Sequence, residues 1–420
     1  MMNTLQTRLI NRFPALASRD FVLFLSGQFV SVIGTWMQGT VQPYLAYRIS
    51  GRPFDLGLIG FATTLPTLVL ALPAGVLVER WDKRRTVIVL QAVMAVLAFI
   101  LAWLTFSGQI RIWHITAVAF IFGTASAVEI TARQAMLIEL TGREALSSAI
   151  ALQTTAFNLG RVLGPSLAAP FMAAGSEGTA FLVNGFSFLF VIAGLLAART
   201  RYRVERDEVT TRNLRHEFGE GIVYIRQNAV VAAIIIMAAL VGFFGMPLLQ
   251  QTPTLGRDVL RTLYDTERLV AQRTSQLYIA QGAGALLAAF MAAYFHSARR
   301  KGLIMGAGQT AFILGLLLLS LVTNRALALL LLAFIGWGSV TQLVTMNTLI
   351  QVQVPNGLRG RVFSAYLWAL QGVAPFGSLL VGWMVQTWQL PFTMLVCASI
   401  LLASFVYIQL RNPNLRKSEA

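Results

Sequence analysis

The residues of this 420-residue chain best placed for chemistry lie inside long apolar runs, where a polar side chain needs a reason to exist. Arg161 is the most informative. A guanidinium within such a run is costly and ordinarily faces water, an opposite charge or a bound anion. Pairing with Glu129, contact with an anionic solute and reaching out to a polar boundary all remain open for it. Glu129 and Arg133 are four residues apart, acid before base, the order in which one helix face joins them as an ion pair. A carboxylate held beside a fixed positive charge can take up and release a proton. Glu129, Arg133 and Arg161 are therefore the candidates for ion coupling, with a purely structural ion pair as the competing reading.

A second set of polar groups shares a helix face. Gln28, Ser31, Thr35, Gln38 and Gln42 are spaced by three and four residues, which stacks them in one stripe. Lipid would penalise that stripe, so it turns toward protein or water. Thr35, Gln38 and Gln42 are expected to line a solute cavity, the alternative being hydrogen bonds between helices. Trp36 lies off the stripe, as a packing or lipid contact. Asn158, Tyr366 and Gln371 are further cavity candidates, with Trp368 beside them. Much is excluded as well. There is no G-x-x-x-x-G-K-[ST] loop to cradle a nucleotide's phosphates. His114, His216, His296 and the single Cys397 have no metal-ligand spacing, and no nucleophile stands by a base. No cofactor, no metal and no enzymatic activity are expected.

The elements that must position these groups follow from composition. Apolar residues make up 56% of the chain and charged residues 12%, about half the charge of a soluble domain, and the mean hydropathy is +0.67. The surplus apolar surface must face lipid. Continuous runs rather than alternation point to helices, not a barrel. The expected spans are 20–47, 55–78, 86–106, 113–133, 147–172 and 179–199, then 229–251, 275–295, 303–322, 326–348, 363–386 and 390–409. The fold class is thus all-α, twelve transmembrane helices in two halves. The first run is too long for a signal-peptide core and reads as a retained helix.

Of the 33 Lys and Arg, 24 fall on the N-terminal side of the alternate loops and 8 on the other, Arg161 lying within a span. By the positive-inside rule both termini are expected in the cytoplasm of a bacterial inner-membrane protein. The net charge of +16 is carried in short clusters between apolar runs, so nucleic acid is not an expected partner. The lipid bilayer, a small-molecule substrate and protons are, and a monomer is expected. The basic linker 201–226 divides an N-terminal half, 1–200, from a C-terminal half, 227–420. Arg84-Arg85 and Arg299-Arg300 are 215 positions apart, and Gly160 and Gly372 are 212 apart, which suggests a parallel duplication. The charge-rich segment 252–274 reads as an external amphipathic stretch.

The loop after the second span runs from Gly75 through Glu79, Arg80, Asp82, Lys83, Arg84 and Arg85. It resembles the signature G-x-x-x-[DE]-R-x-G-[RK]-[RK] of the major facilitator superfamily, with Asp82 in place of the second glycine. It is read as a conformational latch formed by Gly75, Glu79, Arg80, Asp82 and Arg84 with Arg359 and Arg361; a plain topogenic basic loop is the competing reading. In the fifth span Gly160, Gly164 and Pro165 resemble the antiporter-associated motif of that superfamily's exporters, with Ala168 and Ala169 replacing its last glycines. The stretches "AGVLVERWDKRR" (74–85), "ARQAMLIELTGREALSSAIALQTTAFNLGRVLGP" (132–165) and "LRGRVFSAY" (358–366) extend the likeness to the branch of enterobactin exporters and related bacterial efflux proteins. The resemblance implies a major facilitator fold, a solute cavity between the halves and proton-driven export by alternating access. Siderophores or amphipathic drugs would be the cargo. Facilitated uptake of a small solute and a non-transporting membrane receptor or enzyme are the alternatives.

Overall fold

A backbone in lipid must satisfy its own hydrogen bonds, so every long apolar run closes on itself as a helix. The computed structural model describes residues 13–142, 144–198, 214–294, 300–355 and 358–417, and among these it contains no strand. The first six long helices are α1 (Arg19–Ser50), α2 (Pro53–Arg80), α3 (Lys83–Phe106), α4 (Ile112–Thr141), α5 (Leu146–Ala173) and α6 (Glu177–Ala197). A short amphipathic helix, α7 (Leu214–Gln227), follows; residues 201–213 of the linker lie outside the described residues. Then come α8 (229–259), α9 (Glu267–Tyr294), α10 (Lys301–Leu319), α11 (Arg325–Gln353), α12 (Arg359–Trp388) and α13 (Leu390–Arg411).

Ten of these are long and apolar enough to cross a membrane. The remaining two long helices, α5 and α9, are 28 residues each and complete the twelve. They are the polar ones. Arg161 and a run of Ser, Thr, Gln and Asn dilute α5, and Glu267, Arg268 and Arg273 occupy the start of α9. The helix α8 runs past the expected end at 251, through Thr252–Thr254 and a wide turn at Leu255–Val259. Segment 252–274 is therefore not a separate external stretch. Thr252, Thr254, Leu255, Arg273 and Thr274 are buried, and only 260–266 joins α8 to α9.

Two other wide turns have a visible cause. Val241–Gly245 in α8 and Trp368–Gly372 in α12 each precede a proline, Pro247 and Pro375. A proline ring inside a helix lacks an N–H and clashes with the carbonyl four residues back, and the chain relieves this with a five-residue repeat.

The chain forms two compact units: Met1–Leu45 with Val69–Asp207, and Ala46–Leu68 with Glu208–Ala420. In the first, α3 packs along α4 and α6, and α5 lies against α1 at Gly160 and Gly164. In the second, α11 packs between α9 and α10. The corner 46–68 belongs to the second unit through specific contacts. Gly57 meets Gly382 Cα, where an added Cβ would stand at 3.0 Å. Phe61 packs edge-on against Phe376 at 6.3 Å, and Gln251 Nε2 donates to the Pro53 carbonyl at 3.3 Å.

Helices in lipid gain nothing from hiding apolar surface, so close approach depends on small residues. Gly160, Gly164 and Ala168 form such a strip on α5, and all three are buried. Gly160 sits on Val32 and Gly164 on Trp36 and Met37 of α1; a Cβ on Gly164 would lie 2.7 Å from the Met37 backbone nitrogen. Gly164→Ala is expected to cost about 1–3 kcal/mol through overpacking, read as a lower Tm of the detergent-solubilised protein. Gly39→Ala, facing open space, should leave Tm unchanged, and equal Tm values for the two variants would refute the packing assignment.

Candidate functional site

The buried ionisable cluster predicted from i,i+4 spacing is present in α4, and a third residue completes it. Glu129 is 4% exposed. Arg133 Nε donates to both of its oxygens, at 3.1 and 3.3 Å, and Gln91 Nε2, from α3, donates to Oε1 at 3.1 Å. Two donors from two helices hold the carboxylate and fix its rotamer. Arg133 stays partly exposed, its side chain at 17%. Glu129 is therefore not the partner of Arg161.

The glutamine stripe of α1 is buried as its spacing requires, but Gln38 and Gln42 bond to protein instead of lining a cavity. Asn184 Nδ2, on α6, donates to Gln38 Oε1 at 2.7 Å, and Gln38 Nε2 donates to Gln42 Oε1 at 3.2 Å. Ser187 Oγ donates to Asn184 Oδ1 at 2.9 Å and to the Asn184 carbonyl at 2.7 Å. A buried amide without partners is expensive, and pairing amides across helices removes that expense. Thr35 remains half-buried at the edge of the stripe. Asn184 and Ser187 were not singled out from sequence; their spacing of three on one helix face, inside an apolar run, is the signal that could have found them.

Arg161 stands over the ring of Trp36, its guanidinium carbon 5.7 Å from the ring centroid. Phe157 meets Trp36 edge-on at 5.4 Å and holds the indole. Among the described residues no carboxylate pairs with Arg161. It also sits near the middle of its helix. It lies fifteen residues from one end of α5 and twelve from the other, about 22 and 18 Å at 1.5 Å per residue. A cation–π contact is worth up to about 2 kcal/mol, whereas an arginine at the helix centre costs about 2.5–3.5 kcal/mol on insertion scales and more in simulations. The indole alone does not balance the charge. Asn158, one turn away and half-buried, donates to the Thr154 carbonyl at 3.0 Å, so Thr154, Asn158 and Arg161 form one polar face.

The loop between α2 and α3 ties helices of its own unit. Lys83 Nζ binds Glu139 of α4 at 2.7 Å, and Arg84 donates to the Leu196 carbonyl of α6 at 3.3 Å. Asp82 caps α3, accepting from the Arg85 amide at 2.8 Å. Its φ of −66° and ψ of 108° need no glycine, which explains how aspartate serves where the signature has one. Gly75, Glu79 and Arg80 fall on the last turns of α2, where their side chains lie outside the described residues. In the second unit Arg361 pairs with Glu220 of α7, and Arg359 is exposed. Tyr366 does not line a cavity. It is 1% exposed, within an apolar cluster of Met346, Leu349 and Ile350, because its ring is needed to fill the α11–α12 contact. Gln371 is exposed on the wide turn of α12.

The second unit holds an uncharged counterpart of the Glu129 cluster. Gln91 and Gln309 each stand eight residues past their helix starts, Lys83 and Lys301, and Glu129 and Gln342 each stand seventeen past theirs, Ile112 and Arg325. Gln342 is 0% exposed and Gln309 1%. Neither Gln342 polar atom, nor Gln309 Oε1, has a partner among the described residues.

A charged network closes the α8–α9 corner of the same unit. Arg273 Nη1 donates to the Gly256 carbonyl and to Asp265 Oδ2, both at 2.9 Å, and Nη2 donates to Asp265 Oδ1. Arg257 binds Glu267 at 2.9 Å, and the Tyr47 hydroxyl donates to Asp258.

Compared with known proteins, residues 11–420 match the sequence profile of the transmembrane secretion effector family. The multidrug efflux pump Tap of Mycolicibacterium fortuitum is 24% identical over 81% of this chain and 83% of its own length. The enterobactin exporter EntS of Shigella boydii is 23% identical over 90% and 87%. The staphyloferrin A transporter of Staphylococcus aureus is 27% identical over 44% of this chain and 46% of its own length. Among solved structures, the nucleoside transporter NupG superposes with a TM-score of 0.73 at 12% identity, covering 93% of this chain and 98% of that one. A D-xylose–proton symporter gives 0.70 at 14% identity, covering 94% and 97%. These likenesses establish the major facilitator fold.

The Arg273 hydrogen bonds hold the Asp265 carboxyl well below the usual carboxylate range. A carboxyl depressed on folding adds stability above its unfolded value, near pH 4, and that stability is lost as pH falls through the folded value. Amide exchange protection across 256–273 is expected to hold from pH 7 to about 4 and to decline in stronger acid. Arg273→Ala should lose about 3–5 kcal/mol there and with it the acid dependence. Protection in Arg273→Ala equal to wild type at every pH would contradict this.

Proposed function

Since the chain belongs to the transmembrane secretion effector family of the major facilitator superfamily, whose members are multi-pass membrane transporters and not enzymes, we propose that it exports a small organic molecule by proton antiport. The observation that carries the coupling is the Gln91–Glu129–Arg133 cluster. Protonating Glu129 removes the counter-charge of Arg133 at membrane depth, and the two protonation states then favour different packings of α3 and α4. A ligand moves a conformational equilibrium only through such a difference between states. The transport cycle is alternating access of halves 1–200 and 227–420 with the linker 201–226 as hinge. The 24-to-8 distribution of Lys and Arg supports cytoplasmic termini in a bacterial inner membrane. The latch role of the Gly75–Arg85 loop rests on its likeness to the superfamily signature. Relatives that export enterobactin or pump drugs make siderophores and amphipathic drugs the cargo classes to test.

The test uses proteoliposomes loaded with candidate solutes under an imposed pH gradient. Wild-type flux should follow the gradient. Glu129→Gln should lose gradient-driven flux on the order of tenfold, a coupling energy in the usual range, and keep solute exchange at zero gradient. Wild-type flux that survives collapse of the gradient would remove antiport and leave a facilitator. Gradient dependence retained in Glu129→Gln would place the proton elsewhere.

A further inference from the structure

The Glu129 cluster accounts for a proton but not for Arg161, the polar face of α5 or the indole set against it. We propose that Arg161 and Trp36 form the recognition site for a negatively charged, planar group on the transported molecule, such as an aromatic carboxylate. This rests on the transport reading for its purpose but not for its chemistry.

Three observations converge on it. Arg161 sits at the middle of α5, partly exposed, with no carboxylate partner among the described residues. A charge so placed is retained for a ligand or a pathway. The guanidinium is half covered, since Trp36 occupies one face. Its edge N–H groups remain, a planar fork that matches two oxygens of a carboxylate. Around it the surface is mixed, with polar groups beside the exposed ring of Phe157. Thr154 is exposed and Asn158 half-buried on the same face of α5, while Gly39, one turn from Trp36 on α1, has nothing within 4 Å of where a Cβ would be.

The aromatic pair supplies the second half of the specificity. Trp36 is steadied by Phe157 at 5.4 Å, and Phe157 is itself half exposed, so a flat apolar group has rings to pack on. A cationic ligand of the same shape meets the guanidinium and is rejected, which is how a single repulsive charge produces selectivity. The close α1–α5 approach at Gly160 and Gly164 sets the spacing, because it brings Trp36 under Arg161.

The experiment compares 1-naphthoate with 1-naphthylmethylammonium, one ring system with opposite charges, in equilibrium binding to the purified full chain in detergent without any gradient. Wild type should bind the anion at least about tenfold more tightly than the cation. Arg161→Gln should erase that preference, Arg161→Lys should keep part of it, and Trp36→Leu should weaken the anion with the preference for charge retained. Charge-blind binding by wild type, no binding of naphthoate, or an unchanged preference in Arg161→Gln would each overturn the site. The wild-type comparison needs no variant to fold. Selective binding without gradient-driven flux would leave the site standing and remove the exporter reading; flux with charge-blind binding would do the reverse.

Discussion

Lipid gives two helices no hydrophobic reason to associate, so what holds each unit together is close backbone contact at small residues and hydrogen bonds between buried amides. Helix α1 shows both. On one side the glycine strip of α5 lets it approach at Val32, Trp36 and Met37. On another, Gln38 is bonded to Asn184 of α6. The Arg161–Trp36 contact inherits its geometry from this arrangement. Trp36 can lie under Arg161 only because Gly164 has no side chain. At Gln38 the polar stripe of α1 is satisfied by a partner from α6.

Features within one helix were legible in the sequence. The Glu129–Arg133 pair follows from a spacing of four, and the buried stripe of α1 from spacings of three and four. What the sequence could not supply was register between helices. Gln91 reaches Glu129 across 38 positions and Asn184 reaches Gln38 across 146, and no local pattern marks either. The same blindness misassigned roles. Gln38 and Gln42 were expected to line a solute cavity, with hydrogen bonds between helices as the alternative, and Gln38 makes such a bond; Tyr366, a further cavity candidate, is packed among apolar side chains. Charges misled at the α8–α9 corner for a related reason. Arg257, Asp258 and Arg273 read as a water-facing segment until their pairing with Glu267, Tyr47 and Asp265 allowed both helices to extend.

The two units carry one scaffold with different chemistry. Where α3 and α4 hold Gln91 against Glu129, α10 and α11 carry Gln309 and Gln342 at matching helix positions, buried and neutral. A duplicated frame with the carboxylate in a single copy gives the molecule a chemical polarity that its backbone lacks. The prolines after the wide turns of α8 and α12 contrast with Pro165 and Pro170 of the first unit, which lie inside an α5 without such a turn.

The Arg161 that makes α5 chemically useful also makes it a poor membrane segment. A helix must first leave the translocation machinery, and each central arginine raises the free energy of that step. Alone among the first six long helices α5 falls short in hydropathy, so its partition into the bilayer during synthesis depends on help. The helix that follows, α6, is strongly apolar, with a hydropathy of 2.2, and α1, already in place, offers Trp36 and a groove fitted to the glycine strip. The order of synthesis thus matters: the partner that shelters the arginine is made before the helix that carries it.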